Sequence, residues 1–349
     1  MIPGFRHRLN ARLARVTVAF ILGASIFPIG AFANSRNQAT TINRLARLLV
    51  APIHSPSQPG VAILRHLITN CMQSIRVPVG PPAAVLAVVE VYPQTSTRCF
   101  TRTGGAPRVT DQWSKVASGS RGTILLLPGY GLPKTTLVPY AAALANQDYR
   151  SVLVDLRAQG KSTGSHVGYG KQEAQDLVQL VRVLRERGMM QYPLGILGIS
   201  YGAAVALDTA AIDNRITAVV AGAPFARVSS VVRRFLRMNA PKLAHRIRQP
   251  TLRAIIQQAG KLLGYPLAES DPLRWVSDIH AHVLYMAGTQ DRISPLHSIQ
   301  RLALRTPHAR VDVVRGANHI ALSFDTQLIA IARMAIFWFR HYLVKPSHR

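Results

Sequence analysis

From Thr123 onward, short apolar runs alternate with helical stretches, and this alternation restricts the fold more than any other feature of the chain. The runs Thr123–Leu127, Ser151–Asp155, Gly195–Ile199, Ile216–Ala221, Val283–Ala287 and Val311–Val314 have the length and composition of buried strands. Helical pattern falls between them, at Lys134–Asn146, Gln172–Arg187, Tyr201–Ala211 and Leu296–Leu304. A last helix is predicted over Asp325–Tyr342, with Leu328, Ile331, Met334, Ala335 and Phe337 on its buried face. Strands that alternate with helices join through crossovers into a parallel sheet covered on both faces, so the class is α/β, with a mostly parallel central sheet flanked by helices.

The alternation fails once. Between Phe225 and Asp278 no strand appears, only helical pattern broken by Pro241, Pro250 and Pro266, which predicts a helical cap over about 227–275. Val228, Val231, Val232, Phe235 and Leu236 follow helical spacing, with Arg233, Arg234 and Arg237 toward other faces. The cap carries Lys and Arg but no Asp or Glu from Arg227 until Glu269. Two readings stand: a solvated cap packed on the core, or a basic face that meets an anionic membrane surface or an anionic acyl substrate.

The formal charge is +27, and no acidic residue precedes Glu90. The basic residues are dispersed and no aromatic-interleaved motif accompanies them, so nucleic acid is not expected as a partner. Arg6, Arg8, Arg12 and Arg15 form a positive segment, Val16–Ile29 is apolar, and Ala31-Phe32-Ala33 is a small-x-small site ahead of Asn34. This predicts a signal peptide over 1–33, cleaved on export to the periplasm or medium; the alternative is an uncleaved signal that anchors the chain in the membrane. Residues 34–83 are expected to be an N-terminal helical extension. In it Leu45, Leu48 and Leu49, and later Ile63, Leu67 and Ile68, lie at helical spacing, and Pro78, Pro81 and Pro82 then break the chain. The α/β domain is placed at 84–349, opening with a strand over Ala84–Val91 and a partner over Arg98–Arg102. Cys71 and Cys99 either pair in an oxidising compartment or stand as two buried thiols. No metal-ligand spacing is present, and no cofactor is implied.

Gly198-Ile199-Ser200-Tyr201-Gly202 joins a predicted strand to a helix that opens with Ala203-Ala204. A Gly-x-Ser-x-Gly turn in that context forces the serine out at a sharp bend, and Gly198 and Gly202 are needed because side chains there would strike the neighbouring backbone. A serine hydroxyl is a poor nucleophile without a base and an orienting carboxylate. These follow such a serine in the order acid, then histidine. Asp291 follows one late strand and His319 the next, at the strand ends where a doubly wound sheet gathers its site. Asp208 and Asp213 belong to the helix after Ser200, Asp312 lies inside the last strand, and His297, His308, His341 and His348 are off the strand ends, which leaves Asp291 and His319. Two backbone donors are required for an oxyanion, and Tyr201 and Tyr130, the latter in the turn Pro128-Gly129-Tyr130-Gly131, are their expected source.

With these pieces assembled, residues 85–343 resemble the α/β-hydrolase superfamily in its serine-nucleophile branch, which includes esterase-like, lysophospholipase-like and peptidase-like members. Leu125-Leu126-Leu127-Pro128-Gly129-Tyr130-Gly131 is similar to that family's oxyanion strand and loop, and Pro128 stands where many members carry histidine. Val154-Asp155-Leu156-Arg157-Ala158-Gln159-Gly160-Lys161-Ser162 is similar to its fourth-strand signature, which implies a run that steadies loops near the site without taking part in the chemistry. The resemblance implies hydrolysis of a small ester or acyl substrate through an acyl-enzyme on Ser200, His319 and Asp291. The alternatives are a peptidase or amidase with the same residues, and a catalytically inactive binding protein on the same fold.

Overall fold

The computed structural model describes residues 35–53, 72–93, 120–321 and 328–343. In chain order the elements are α1 (Ser35–Val50), β1 (Met72–Val79), β2 (Ala84–Val91), β3 (Gly122–Leu127), α2 (Val138–Ala145), β4 (Tyr149–Val154), α3 (Lys171–Glu186), β5 (Leu194–Ile199), α4 (Tyr201–Ile212), β6 (Ile216–Gly222), α5 (Val228–Asn239), α6 (Pro241–Arg246), α7 (Gln249–Leu263), β7 (His282–Gly288), α8 (Leu296–Ala303), β8 (Ala309–Val314) and α9 (Leu328–Tyr342).

The strands form one sheet in the order β1-β2-β4-β3-β5-β6-β7-β8. β2 is antiparallel to both its neighbours and every other pair is parallel. From β3 the chain first moves outward to β4 and then crosses back to β5, so the winding reverses at β3. The carboxyl ends of β3 and β5 therefore border the crevice where a doubly wound sheet receives ligands. Helices cover both faces, which is why β3, β4 and β5 are buried at every position; β3 and β5 read as nearly continuous apolar runs, while β4 carries a buried Arg150 and Ser151 near its start. One face packs against α1, α3, α4, α7 and α8, the other against α2 and α9.

β1 corrects the sequence reading. Residues 72–79 were expected to close the helical extension, yet they pair with β2 along their whole length, from Met72↔Val91 to Val79↔Ala84. Pro78 hid this strand, because proline interrupts a central strand but is tolerated at a sheet edge, where its missing N–H leaves no ladder bond broken. The partner expected for Ala84–Val91 at Arg98–Arg102 lies outside the described residues, as do residues 1–33, Ile63, Leu67, Ile68, Cys71 and Cys99. A second correction concerns α9: Ile331, Ala335, Trp338 and Phe339 form its buried face, whereas Phe337 is 66% exposed. At 100° per residue Phe337 lies about 120° around the helix from Ile331, off the apolar stripe.

Between β6 and β7 stand α5, α6 and α7, followed by three short 3-10 turns. Val228 and Val232 of α5 and Leu252, Ile255 and Ala259 of α7 are buried against the core. α1 lies along α7 with Ala46 and Val50 fully buried. Among the described residues no helix is long and apolar enough to cross a membrane.

Candidate active site

Ser200 occupies the single residue between β5 and α4 and has φ of 54°. A non-glycine residue in this region is strained, and it persists because the flanking backbone fixes it. The Ser200 amide donates to the Gly222 carbonyl at 2.7 Å, while the Ser200 carbonyl accepts from the Ala203 and Ala204 amides, each at 3.1 Å. The two glycines make the bend sterically feasible. A Cβ at Gly198 would fall 2.2 Å from the Gly202 carbonyl oxygen, and one at Gly202 would fall 2.2 Å from that of Leu127. Both distances are well inside contact, so the crossing of the helix start over β3 and β5 excludes any side chain at either position.

Asp291 and His319 come from the loops after β7 and β8. Asp291 is buried, and its Oδ1 accepts the Ile293 and Ser294 amides, both at 2.8 Å. Its Oδ2 lies 2.7 Å from His319 Nδ1, and His319 Nε2 lies 2.8 Å from Ser200 Oγ. The two loops are fastened to each other as well. Gln290 donates its amide to the Ala317 carbonyl at 2.9 Å, and the Gly316 amide donates to Thr289 Oγ1 at 2.9 Å. Asn318 Oδ1 accepts from the Ile320 and Ala321 amides and so fixes the turn that carries His319. The imidazole is thus hydrogen-bonded through one nitrogen to a carboxylate and through the other to the serine hydroxyl.

The loop after β3 borders Ser200: a Cβ on Gly129 would lie 3.8 Å from that of Ser200. In this loop the Gly131 amide is taken by Gln159 Oε1 at 2.6 Å. The backbone N–H groups of Tyr130 and Tyr201, the two predicted oxyanion donors, have no acceptor among the described residues. A backbone donor beside the nucleophile that has no protein acceptor is of the kind an oxyanion requires. The Asp155–Ser162 run anchors this loop. Asp155 accepts the Lys134 amide through Oδ1 and pairs with Lys134 Nζ through Oδ2, both at 2.6 Å, and its Oδ2 also accepts the Lys161 amide at 2.9 Å. Arg157 forms a two-pronged ion pair with Asp176 at 2.8 and 2.6 Å. Burial pushes the Asp176 carboxyl up to about 6 against the pull of Arg157.

Two contributions were not read from the sequence. Gln159 lies in the run expected to steady nearby loops, but its particular contact, the Gly131 amide of the loop after β3, 28 residues away, is not signalled by the local pattern. Tyr130, Tyr169 and Tyr201 pack mutually, with ring centroids 5.7 to 6.0 Å apart. The Tyr130 and Tyr169 hydroxyls both donate to the Leu49 carbonyl at the end of α1, at 3.3 and 3.0 Å. Burial pushes the Tyr130 hydroxyl up to about 12, so it remains a donor through the neutral range. α1 is therefore bound to the loop that bears the Tyr130 amide. On the cap side, Arg234 of α5 reaches Ser298 Oγ of α8 at 3.3 Å. Among the described residues no group of three or more His, Cys, Asp or Glu side chains is placed to hold a metal ion.

Solved structures share this architecture. An esterase of Pyrococcus furiosus is 16% identical, with a TM-score of 0.61 over 84% of this chain and 98% of that one. A thermophilic esterase from Thermogutta terrifontis, with malate bound, is 18% identical, with a TM-score of 0.52 over 78% of this chain and all (100%) of that one. A 2,6-dihydroxy-pseudo-oxynicotine hydrolase is 13% identical, with a TM-score of 0.54 over 89% of this chain and 76% of that one. At these identities the likeness is one of fold. Comparison with curated proteins finds no match. The model of the alpha/beta hydrolase family, however, matches residues 124–332, more than half of the chain and the whole stretch from β3 through the His319 loop, and the protein is a member of that family.

Proposed function

We propose that this hydrolase is a serine esterase that cleaves small carboxylic esters through an acyl-enzyme and acts outside the cytoplasm. The observation that carries the reading is the unbroken hydrogen-bonded chain from Ser200 Oγ through His319 to Asp291 at the strained bend after β5. Ser200 Oγ attacks the ester carbonyl carbon while His319 Nε2 takes its proton, and Asp291 stabilises the imidazolium. The oxyanion accepts hydrogen bonds from the Tyr130 and Tyr201 amides. Collapse of the tetrahedral species expels the alcohol with the proton from His319. Water, deprotonated by the same nitrogen, then attacks the acyl-serine, releases the acid and restores Ser200.

The esterases among the structural neighbours are consistent with an ester substrate, and the basic segment, apolar stretch and Ala31-Phe32-Ala33 site support export. Labelling with a fluorophosphonate probe tests the nucleophile: the wild-type chain is expected to label and Ser200→Ala is expected not to. A folded wild type that stays unlabelled, or a Ser200→Ala chain that labels equally, rules the assignment out. Parallel panels of p-nitrophenyl esters and p-nitroanilides then decide ester against amide, with faster turnover expected on the esters.

A further inference from the structure

The cap contains a site that the proposed chemistry does not use. Between α5, α6 and the start of α7 lies a solvent-open groove of about 460 Å³ with Arg233, Arg237 and Arg248 on its walls and Leu236, Ile247 and Leu252 along its apolar side. Residues 227–268 contain no Asp or Glu, and none of the three arginines joins an ion pair among the described residues. Arg233 and Arg237 lie one helical turn apart, a spacing at which like charges repel. Arg233 gives one guanidinium N–H to the Gln249 carboxamide, but its Nε is buried with no acceptor. The start of α7 adds to the field. Arg248 and Gln249 sit at its first turn and line the groove, and that turn has neither an acidic residue nor a side-chain cap. The positive end of a fifteen-residue helix is thus left without a counter-charge.

We propose that this groove binds an amphiphilic anion, one carboxylate or phosphate head on an aliphatic chain, taken from solution. The head completes the arginines and the helix end, and the chain lies on Leu236, Ile247 and Leu252. The volume suits one small molecule, since ligand sites commonly span about 300–1,000 Å³. The lining of the groove includes none of Ser200, Asp291 and His319, so its binding can be measured without turnover and stands or falls apart from the esterase reading.

Calorimetric titration of the full Ser200→Ala chain with octanoate, octyl phosphate and 1-octanol tests the site without turnover. Both anions are expected to bind about tenfold more tightly than the alcohol. In the chain that also carries Arg237→Gln and Arg248→Gln, anion affinity is expected to fall at least about tenfold, to the level of the alcohol, with alcohol affinity unchanged. Both arginines are exposed, so the fold is expected to persist; thermal unfolding and hydrolysis of p-nitrophenyl acetate by the same double variant with Ser200 retained confirm this. Equal affinity for octanoate and octanol, or anion affinity unmoved by the two substitutions, overturns the proposal. Co-sedimentation with phosphatidylcholine vesicles, with and without phosphatidylglycerol, separates the source of the head group. Binding to the anionic vesicles that needs both arginines, together with no binding of soluble octanoate, would make the arginines a surface patch and also overturn the proposal.

Discussion

Asp291 divides its two oxygens between separate tasks: Oδ2 meets His319 Nδ1 at 2.7 Å, while Oδ1 is held by the Ile293 and Ser294 amides. The second task fixes the first. Because Oδ1 is committed to backbone donors, only an acceptor faces the imidazole, which places the proton on Nδ1 and leaves the Nε2 lone pair toward Ser200. Asparagine at this position would keep its oxygen on the amides and turn its NH₂ toward Nδ1. The proton would then move to Nε2, and the base would be lost. Asp291→Asn is expected to lower kcat by about 10³–10⁴ with little change in thermal stability. Steady-state kinetics on p-nitrophenyl acetate beside a thermal melt measure this, and a variant within tenfold of wild type would show that His319 does not act through this tautomer.

Gln159 occupies the Gly131 amide and so holds the turn that carries the Tyr130 amide. Without the carboxamide the turn gains freedom, and the Tyr130 amide loses its fixed aim at the substrate oxygen. Complete loss of an oxyanion donor costs about 10²–10³ in kcat. Gln159→Ala loosens a donor without deleting it, so a fall of about tenfold in kcat is expected, with KM nearly unchanged. A change confined to KM would mean that Gln159 shapes substrate binding instead.

The sheet was legible because its central strands are covered on both sides. A strand buried at every position, such as β5, shows as an unbroken apolar run, and its neighbours supply the helical period between. Ser200, Asp291 and His319 could be selected because each follows a strand and because acidic residues are scarce. The structure brings these three together. What could not be read depends on contacts between distant segments. β1 is an edge strand with proline inside it and only one face toward the core, so its pattern is too weak to distinguish from a linker. Gln159 and the tyrosine cluster gain their roles from loops that meet only after the sheet has formed.

Asp208 lies on α4 behind the nucleophile, buried, and neither of its carboxyl oxygens has a hydrogen-bond partner among the described residues. The Gly170 backbone, at φ of 134°, passes so close that a Cβ there would fall 2.1 Å from Oδ2. Burial raises the Asp208 carboxyl well above the ordinary range, and Glu173 and Asp271 raise it further. Asp271 is itself pushed up to about 6, chiefly by burial. A carboxyl whose value is raised on folding holds a proton that the unfolded chain has released. Its burial is therefore tolerated best at low pH, and it removes stability as pH rises from the unfolded value, near 4, toward the raised one. Asp208→Asn carries no such penalty. Its melting temperature relative to wild type is expected to increase steadily between about pH 5 and pH 8. A difference that does not vary with pH would show that Asp208 keeps the same protonation in the folded and unfolded chains.

The first acidic residue of the chain is also a buried one. Glu90 of β2 and Arg150 of β4 form an ion pair at 3.0 Å with both side chains 1% exposed. The Tyr92 hydroxyl donates to Glu90 Oε2 at 2.7 Å, and the Arg150 guanidinium lies 5.0 Å from the Tyr92 ring centre. Arg150 also donates to the Met189 carbonyl. A pair so enclosed gains little net energy, because desolvation offsets attraction, yet removing one partner leaves the other charge uncompensated. Glu90→Gln is expected to destabilise the fold by about 3–5 kcal/mol, read from denaturant unfolding. Glu90→Leu combined with Arg150→Met removes both charges, and its stability is expected to return to within about 1–2 kcal/mol of wild type or above it. Arg150 stands at the start of β4, the opposite end of the parallel strands from Ser200, so the folded fraction should keep its turnover. If the double variant were as unstable as Glu90→Gln, the pair would be contributing attraction beyond its desolvation cost, and the balance argued here would be reversed.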